Sequence, residues 1–234
     1  MGSLDFERFM RAARELIVTE TARDQQRTIG PSDMADPCLK CLGRKMAGDQ
    51  PEREFSMFPW LGTAMHTLIE KLATVVMRPI PGKNDMAMEM FGPDSGAVFE
   101  LKVFICTIPG YGDIYGSLDV ITKEVIGDWK STSKKKVKVY KIQGPPPSYL
   151  GQLTMYLHGA RLSGYDRSTG VLVFIPRDAF GVDDLWGYEW EYNPDLAQQI
   201  IDRVTSVYQW VQLGRHHELP SDSSCNTCHP GFFG

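Results

Sequence analysis

No stretch of this sequence stays apolar long enough to span a bilayer, and the N-terminus opens on an amphipathic charged segment instead of the unbroken apolar run of an export signal. Phe6 stands where a myristoylation signal beginning Met1-Gly2 wants Ser or Thr. These absences point to a cytoplasmic chain with no membrane partner. Excess positive charge is also missing, since 25 Lys and Arg face 29 Asp and Glu for a net charge of -4. That balance excludes a protein that coats nucleic acid by bulk charge, while permitting a local basic patch beside a carboxylate site. The sequence has no internal repeat, and its only biased tract is a lysine run between 134 and 141. Cysteine is sparse: Cys38, Cys41, Cys225 and Cys228 form two Cys-x-x-Cys pairs near opposite ends, and Cys106 stands alone on an apolar stretch. In a reducing compartment such pairs point to metal before disulfide, and the lone thiol to a core position.

What is present suffices for one core, since 234 residues at 42% hydrophobic content describe an ordinary globular chain. The simplest organisation is a single domain: an N-terminal helix and first cysteine pair over 1–58, a core over 59–213, and a cysteine-bearing tail over 214–234. Phe6, Phe9, Met10, Ala13, Leu16 and Ile17 recur at helical spacing, and a loop with Pro31, Pro37 and the first cysteines follows. Leu61, Ala64, Met65, Leu68, Leu72, Val75 and Val76 mark the apolar stripe of a second helix. The period then changes to two, with strands predicted over Phe99–Ile105, Ile114–Ile121 and Val125–Ser131. A helix over Ser148–Leu162, a buried strand over Val171–Ile175, an aromatic strand face at Trp186, Tyr188, Trp190 and Tyr192, and a last helix from Leu196 to Val211 complete an order α-α-β-β-β-α-β-β-α. The tail after Gly214 has little apolar content and needs something to tie it down.

Asp119 closes Gly116-Ser117-Leu118-Asp119, and Asp128-Trp129-Lys130 begins the next strand. Residues two apart on a strand face the same way, so Asp128 and Lys130 project together, and Asp119 approaches from the neighbouring strand of a hairpin. Phosphodiester hydrolysis wants this set: hard oxygen ligands for Mg2+ or Mn2+, a positioned water, and an amine facing the charge that develops on phosphorus. Alone, Asp-x-Lys is a weak motif that far more often describes a surface hairpin with a salt bridge. Gln152 and Tyr156, four apart with Tyr149 a turn earlier, share a helix face separate from the Leu150/Leu153/Leu157 stripe. His66 lies off the apolar stripe of its helix, with Glu70 one turn on. Glu89 and Glu100 precede the hairpin and are read as surface residues.

The order His66, Asp119, Asp128-Trp129-Lys130, Gln152-x-x-x-Tyr156 resembles the RecB-type nucleases of the PD-(D/E)xK class, including CRISPR-associated exonucleases of Cas-four type and their phage relatives, from about Cys38 to Cys228. The resemblance implies a restriction-endonuclease-like α/β fold, a mixed central sheet flanked by helices. It also implies that His66, Asp119 and Asp128 bind the divalent metal, Lys130 is catalytic, and Gln152 and Tyr156 support substrate binding. Many members carry Glu where this chain has Asp128, whose shorter reach alters metal spacing. The implied activity is a DNA exonuclease on single strands or free ends, with a structure-selective endonuclease or a non-catalytic, metal-stabilised nucleic-acid-binding module as alternatives. Recombination or CRISPR-type processing is the implied setting for protein partners.

Four thiolates suit tetrahedral zinc or an iron-sulfur cluster, and pairs this far apart would staple the N- and C-terminal segments together. The related exonucleases carry a 4Fe-4S cluster, and Cys41-Leu42-Gly43-Arg44-Lys45 looks like their first-cysteine segment. Those relatives place one cysteine before the core and three after, whereas this chain has two and two, which leaves zinc open. His229 is a possible substitute ligand, otherwise exposed like His216 and His217. Beside the proposed site, Lys134, Lys135, Lys136, Lys138 and Lys141 are positioned to grip phosphates, with Tyr140 to stack on a base and Arg44 and Lys45 to extend the patch.

Overall fold

The computed structural model describes residues 11–12, 28–49, 57–76, 97–225 and 227–229. Arg11 and Ala12 are helical; the rest of the helix expected over Phe6–Ile17, and Glu89, lie outside the described residues. The order is α1 (Pro31–Ala35), α2 (Leu39–Ala47), α3 (Met57–Val76), β1 (Val98–Ile108), β2 (Gly112–Ile121), β3 (Val125–Thr132), α4 (Lys134–Gln143), α5 (Pro147–Leu162), β4 (Thr169–Pro176), β5 (Trp186–Glu191) and α6 (Pro194–Gln212), with single 3-10 turns at Val182–Asp184 and His216–Glu218. The strands form one mixed sheet in the order β1-β2-β3-β4-β5. Among these neighbours β3 and β4 pair in parallel, and the α4–α5 connection runs between them. No helix among the described residues is long and apolar enough to cross a membrane.

The strands β1 to β4 fall where predicted, each a residue or more longer, whereas β5 ends at Glu191, one residue before the expected Tyr192. Three other expectations change. The segment with Pro31 and the first cysteines is not a loop but the two helices α1 and α2. Pro31 sits in the first turn of α1, where its missing N–H costs nothing, and the Gly30 N–H donates to Asp33 Oδ2 at 2.9 Å. Gly48, at φ 72°, closes α2 by donating to the Arg44 and Lys45 carbonyls. The lysine run is also a helix, α4, capped by Ser133 and burying only Val137.

The third change is in α3. Its apolar stripe, predicted to pack inward, carries Leu68 and Leu72 at 57% and 54% exposure, and Leu61 and Ala64 are exposed as well. The face turned to β1 and β3 holds Gly62, Thr63, His66 and Ile69 together with Met65, the stripe residue that does turn inward.

α5 is buried around nearly its whole circumference, from Gly151 to Leu157 and at Gly159 and Ala160. It lies against β1, β4, α1 and α6. Leu153, Phe174, Ile105, Leu118 and Ile126, all inaccessible to solvent, form the middle of the core. Burial of each such side chain contributes roughly 1.5–3 kcal/mol. α6 adds its Ala197/Ile200/Val204/Val207 stripe, and Arg203 on the same helix donates to the Met34 carbonyl, fastening α1.

Candidate active site

The sheet ladders align three carboxylates. β1 pairs Phe99 with Val120 and Leu101 with Leu118, which sets Glu100 opposite Asp119; β2 pairs Val120 with Gly127, which sets Asp119 opposite Asp128. Glu100, Asp119 and Asp128 thus occupy one row across three neighbouring strands. Asp119 is 4% exposed and Asp128 2%. Asp119 Oδ2 accepts the Trp129 backbone N–H at 2.7 Å, which leaves Oδ1 facing His66 Nδ1 at 3.2 Å. That buried nitrogen makes no hydrogen bond among the described residues.

Glu100 is half-buried, not a surface residue as its sequence context suggests. Its Oε2 accepts from Ser117 Oγ at 2.8 Å, and its backbone adopts φ 50°, the one positive φ at a described non-glycine residue. Such a conformation costs about 1–3 kcal/mol and is retained where surroundings or function demand it. Ligand atoms of His66, Glu100 and Asp119 all lie within 4.8 Å of one another. Opposite ligands of an ion with bonds of about 2.1 Å are about 4.2 Å apart. The three donors therefore fit one hard divalent cation with small side-chain adjustments. No local pattern in the sequence distinguishes Glu100 from a solvent-facing strand residue; only the ladder register and α3 reveal it.

Beside this cluster, Lys130 Nζ lies 2.6 Å from Asp128 Oδ2 and donates to Gln152 Oε1 at 2.8 Å. Gln152 Nε2 donates in turn to the Tyr156 hydroxyl at 3.1 Å. The ammonium also sits 5.1 Å from the centre of the Tyr149 ring. The residues one helix face was predicted to offer thus meet the lysine, although Gln152 and Tyr156 are buried instead of standing on a helix surface. Burial pushes the Asp128 carboxyl above its usual range, with Lys130 opposing that shift and Asp119 reinforcing it. Gly116 makes room for Tyr156, because a Cβ there would stand 2.9 Å from its ring and 2.7 Å from Pro31.

The four paired cysteines also converge: Cys38 and Cys228 sulfurs are 3.6 Å apart, Cys41 and Cys225 3.4 Å, Cys41 and Cys228 3.5 Å. All are free thiols at distances far beyond the roughly 2.05 Å of a disulfide. Burial pushes the Cys41 thiol well up and Cys228 up to about 11. At Cys225 burial acts in the same direction but is outweighed by hydrogen bonds from the Cys228 backbone and neighbouring thiols, which lower it. Sulfurs this close together, two of them in thiols whose ionisation burial opposes, suit a shared cation. Cys106 is buried in the core, its thiol pushed up to about 11 by burial. His229 pairs with Ser221 Oγ at 3.1 Å outside the cluster; His216 is half-buried, 3.3 Å from Asp49, not exposed, and His217 is exposed.

On α4, Lys135, Lys136, Lys138 and Lys141 are exposed, while Lys134 is bound to Asp184 at 2.8 Å and lies 4.8 Å from the Phe180 ring centre. Tyr140 is half-buried, packed on Phe174 and Tyr149. The fully exposed ring at this corner is Phe180. Arg44, expected to extend the patch with Lys45, pairs with Asp49 just beyond α2, and Lys45 pairs with Asp33 of α1.

No family model matches the chain, and no curated protein sequence does. Among solved structures it is similar to the alkaline exonuclease LHK-Exo from Laribacter hongkongensis, at 14% identity over 87% of each chain with a TM-score of 0.49. LHK-Exo in complex with dAMP gives 15% identity over 87% of each chain at 0.46. The protein SSO0001 gives 16% identity over 92% of this chain and 88% of that one, also at 0.46.

Proposed function

We propose that this chain is a divalent-metal-dependent deoxyribonuclease of the PD-(D/E)xK type that removes nucleotides from single strands or DNA ends. The observation that carries this reading is the burial of Asp119 and Asp128 beside a half-buried Lys130, with His66 and Gln152 closing on them from two helices. A surface salt bridge would be solvated on both sides; charges withdrawn from water cost several kcal/mol each and concentrate where chemistry needs them.

His66, Asp119 and Glu100 would hold the metal, while Asp128, expected as a third ligand beside His66 and Asp119, lies outside that cluster and pairs with Lys130 instead. When bound, the ion supplies Lewis-acid polarisation of the phosphate and a more acidic water. Lys130 presents its ammonium to the charge that develops on phosphorus. Asp128 and Gln152 fix the direction of that ammonium, and Tyr156 fixes Gln152. The exposed lysines of α4, which begins just after β3 ends, are suited to the DNA backbone, and Phe180 is the ring suited to stack on a base.

The test is incubation of end-labelled single strands, linear duplex and closed circular DNA with Mn2+ or with a chelator. Metal-dependent release of nucleotides from linear DNA is expected, and Asp128→Ala and Lys130→Ala should each abolish it. Wild-type cleavage rates in either variant would overturn the site, and equal cutting of closed circles would replace the exonuclease with an endonuclease.

A further inference from the structure

We propose that the four-cysteine site holds a single zinc ion, in place of the 4Fe-4S cluster that the family resemblance implies. Size separates the two. Four thiolates bound tetrahedrally at about 2.3 Å place their sulfurs about 3.8 Å apart. In a cubane each thiolate caps a different iron, so the sulfurs are separated by the breadth of the cluster, on the order of 6 Å. Here three sulfur pairs measure 3.4, 3.5 and 3.6 Å, and all four atoms lie within 4.8 Å of one another. That is the spacing of one ion.

The surrounding chain holds the segments at this separation. Lys40, between the first two cysteines, donates its N–H to the Pro220 carbonyl of the tail at 3.1 Å. One residue earlier in the tail, Leu219 is buried against α2, where Gly43 admits it: a Cβ on Gly43 would stand 2.5 Å from Leu219 Cδ1. Cys38 stands at the N-cap of α2 and Cys41 in its first turn, so the helix sets the backbone positions of both. In the second pair, the His229 N–H returns to the Cys225 carbonyl at 2.9 Å, closing a tight turn around the metal position. Without a change of cysteine rotamer, opening the sulfurs to cubane spacing would require α2 and the tail to part by roughly 2 Å, the difference between these spacings. Such a movement would break the Lys40–Pro220 bond and pull Leu219 off Gly43. The donor set agrees, since two symmetrical Cys-x-x-Cys pairs supply four soft ligands and no histidine enters among the described residues.

Zinc has no accessible redox change, so the site acts as a clamp joining the ends and not as an electron carrier or oxygen sensor. Chain purified without oxygen from cells supplied with both metals is expected to be colourless and to contain about one zinc and no acid-labile sulfide per chain. Exchange with Co2+ should produce the intense visible bands of a tetrahedral tetrathiolate, and exposure to air should leave both metal content and melting temperature unchanged. Brown protein with about four irons and matching sulfide per chain would overturn the proposal, as would one iron without sulfide. These readouts do not involve DNA cleavage, so they stand or fall separately from the nuclease reading.

Discussion

At the residue scale the carboxylates divide their duties by environment. Asp119 is pinned by the Trp129 N–H and faces His66, Glu100 is strained and oriented by Ser117, and Asp128 is committed to Lys130. If Glu100 is a ligand, Glu100→Gln should weaken Mn2+ binding by about tenfold or more in calorimetric titration while leaving the fold intact, and Ser117→Ala should weaken it less, as removal of an orienting partner does. Glu100→Gly separates strain from function: it relieves the positive φ, so the melting temperature should rise as metal affinity falls. Unchanged affinity in Glu100→Gln would return the residue to a structural role. For Lys130→Ala the deficit should be in turnover more than in DNA affinity, measured by single-turnover cleavage beside filter binding.

At the element scale, α4 and the β4–β5 connection form one surface. Lys134 is already engaged with Asp184, so the residues to neutralise are Lys135, Lys136 and Lys138. Their triple replacement by Gln should reduce the slope of log affinity against log salt by about 0.7 for each single-strand phosphate that the helix no longer neutralises. Phe180→Ala should weaken single-strand binding by roughly 1–3 kcal/mol at an unchanged salt slope, since stacking releases no counterions. An unaltered slope in the first variant would make the helix a solvated face.

α5 offers a separate check on burial. Burial lowers the pKa of His158, which shares a 2.8 Å hydrogen bond with the Tyr192 hydroxyl. The folded state then binds this proton less readily than the unfolded one, so stability should fall as pH drops below about 6.5 and level off once the folded pKa is passed. His158→Gln should flatten that acid limb in denaturant titrations; an equal limb in the variant would assign it to other groups.

At the scale of the whole molecule, the cysteine site joins Cys38 to Cys228, 190 positions away, so its energetic effect is global. Replacing any one of Cys38, Cys41, Cys225 or Cys228 by Ser should cost on the order of 3 kcal/mol or more of unfolding free energy along with the bound metal, whereas Cys106→Ser should cost about 1–2 kcal/mol and leave metal content untouched. Calorimetry and metal analysis on the same preparations separate the two classes, and equal effects would refute a shared site. Periodicity alone determined the five strands, α5 and α6, because alternation and helical stripes are local consequences of which face is buried. The residue types and order of His66, Asp119, Asp128, Lys130, Gln152 and Tyr156 were likewise legible, as was the pairing of thiols by their spacing. Tertiary structure decided what no local window contains: that α3 turns His66 inward and its leucines outward, that strand register sets Glu100 opposite Asp119, that Tyr140 is packed while Phe180 is bare, and that four sulfurs stand one ion apart. Those outcomes depend on which surfaces meet across long sequence separations, and a chain's local pattern fixes the shape of each surface without naming its partner.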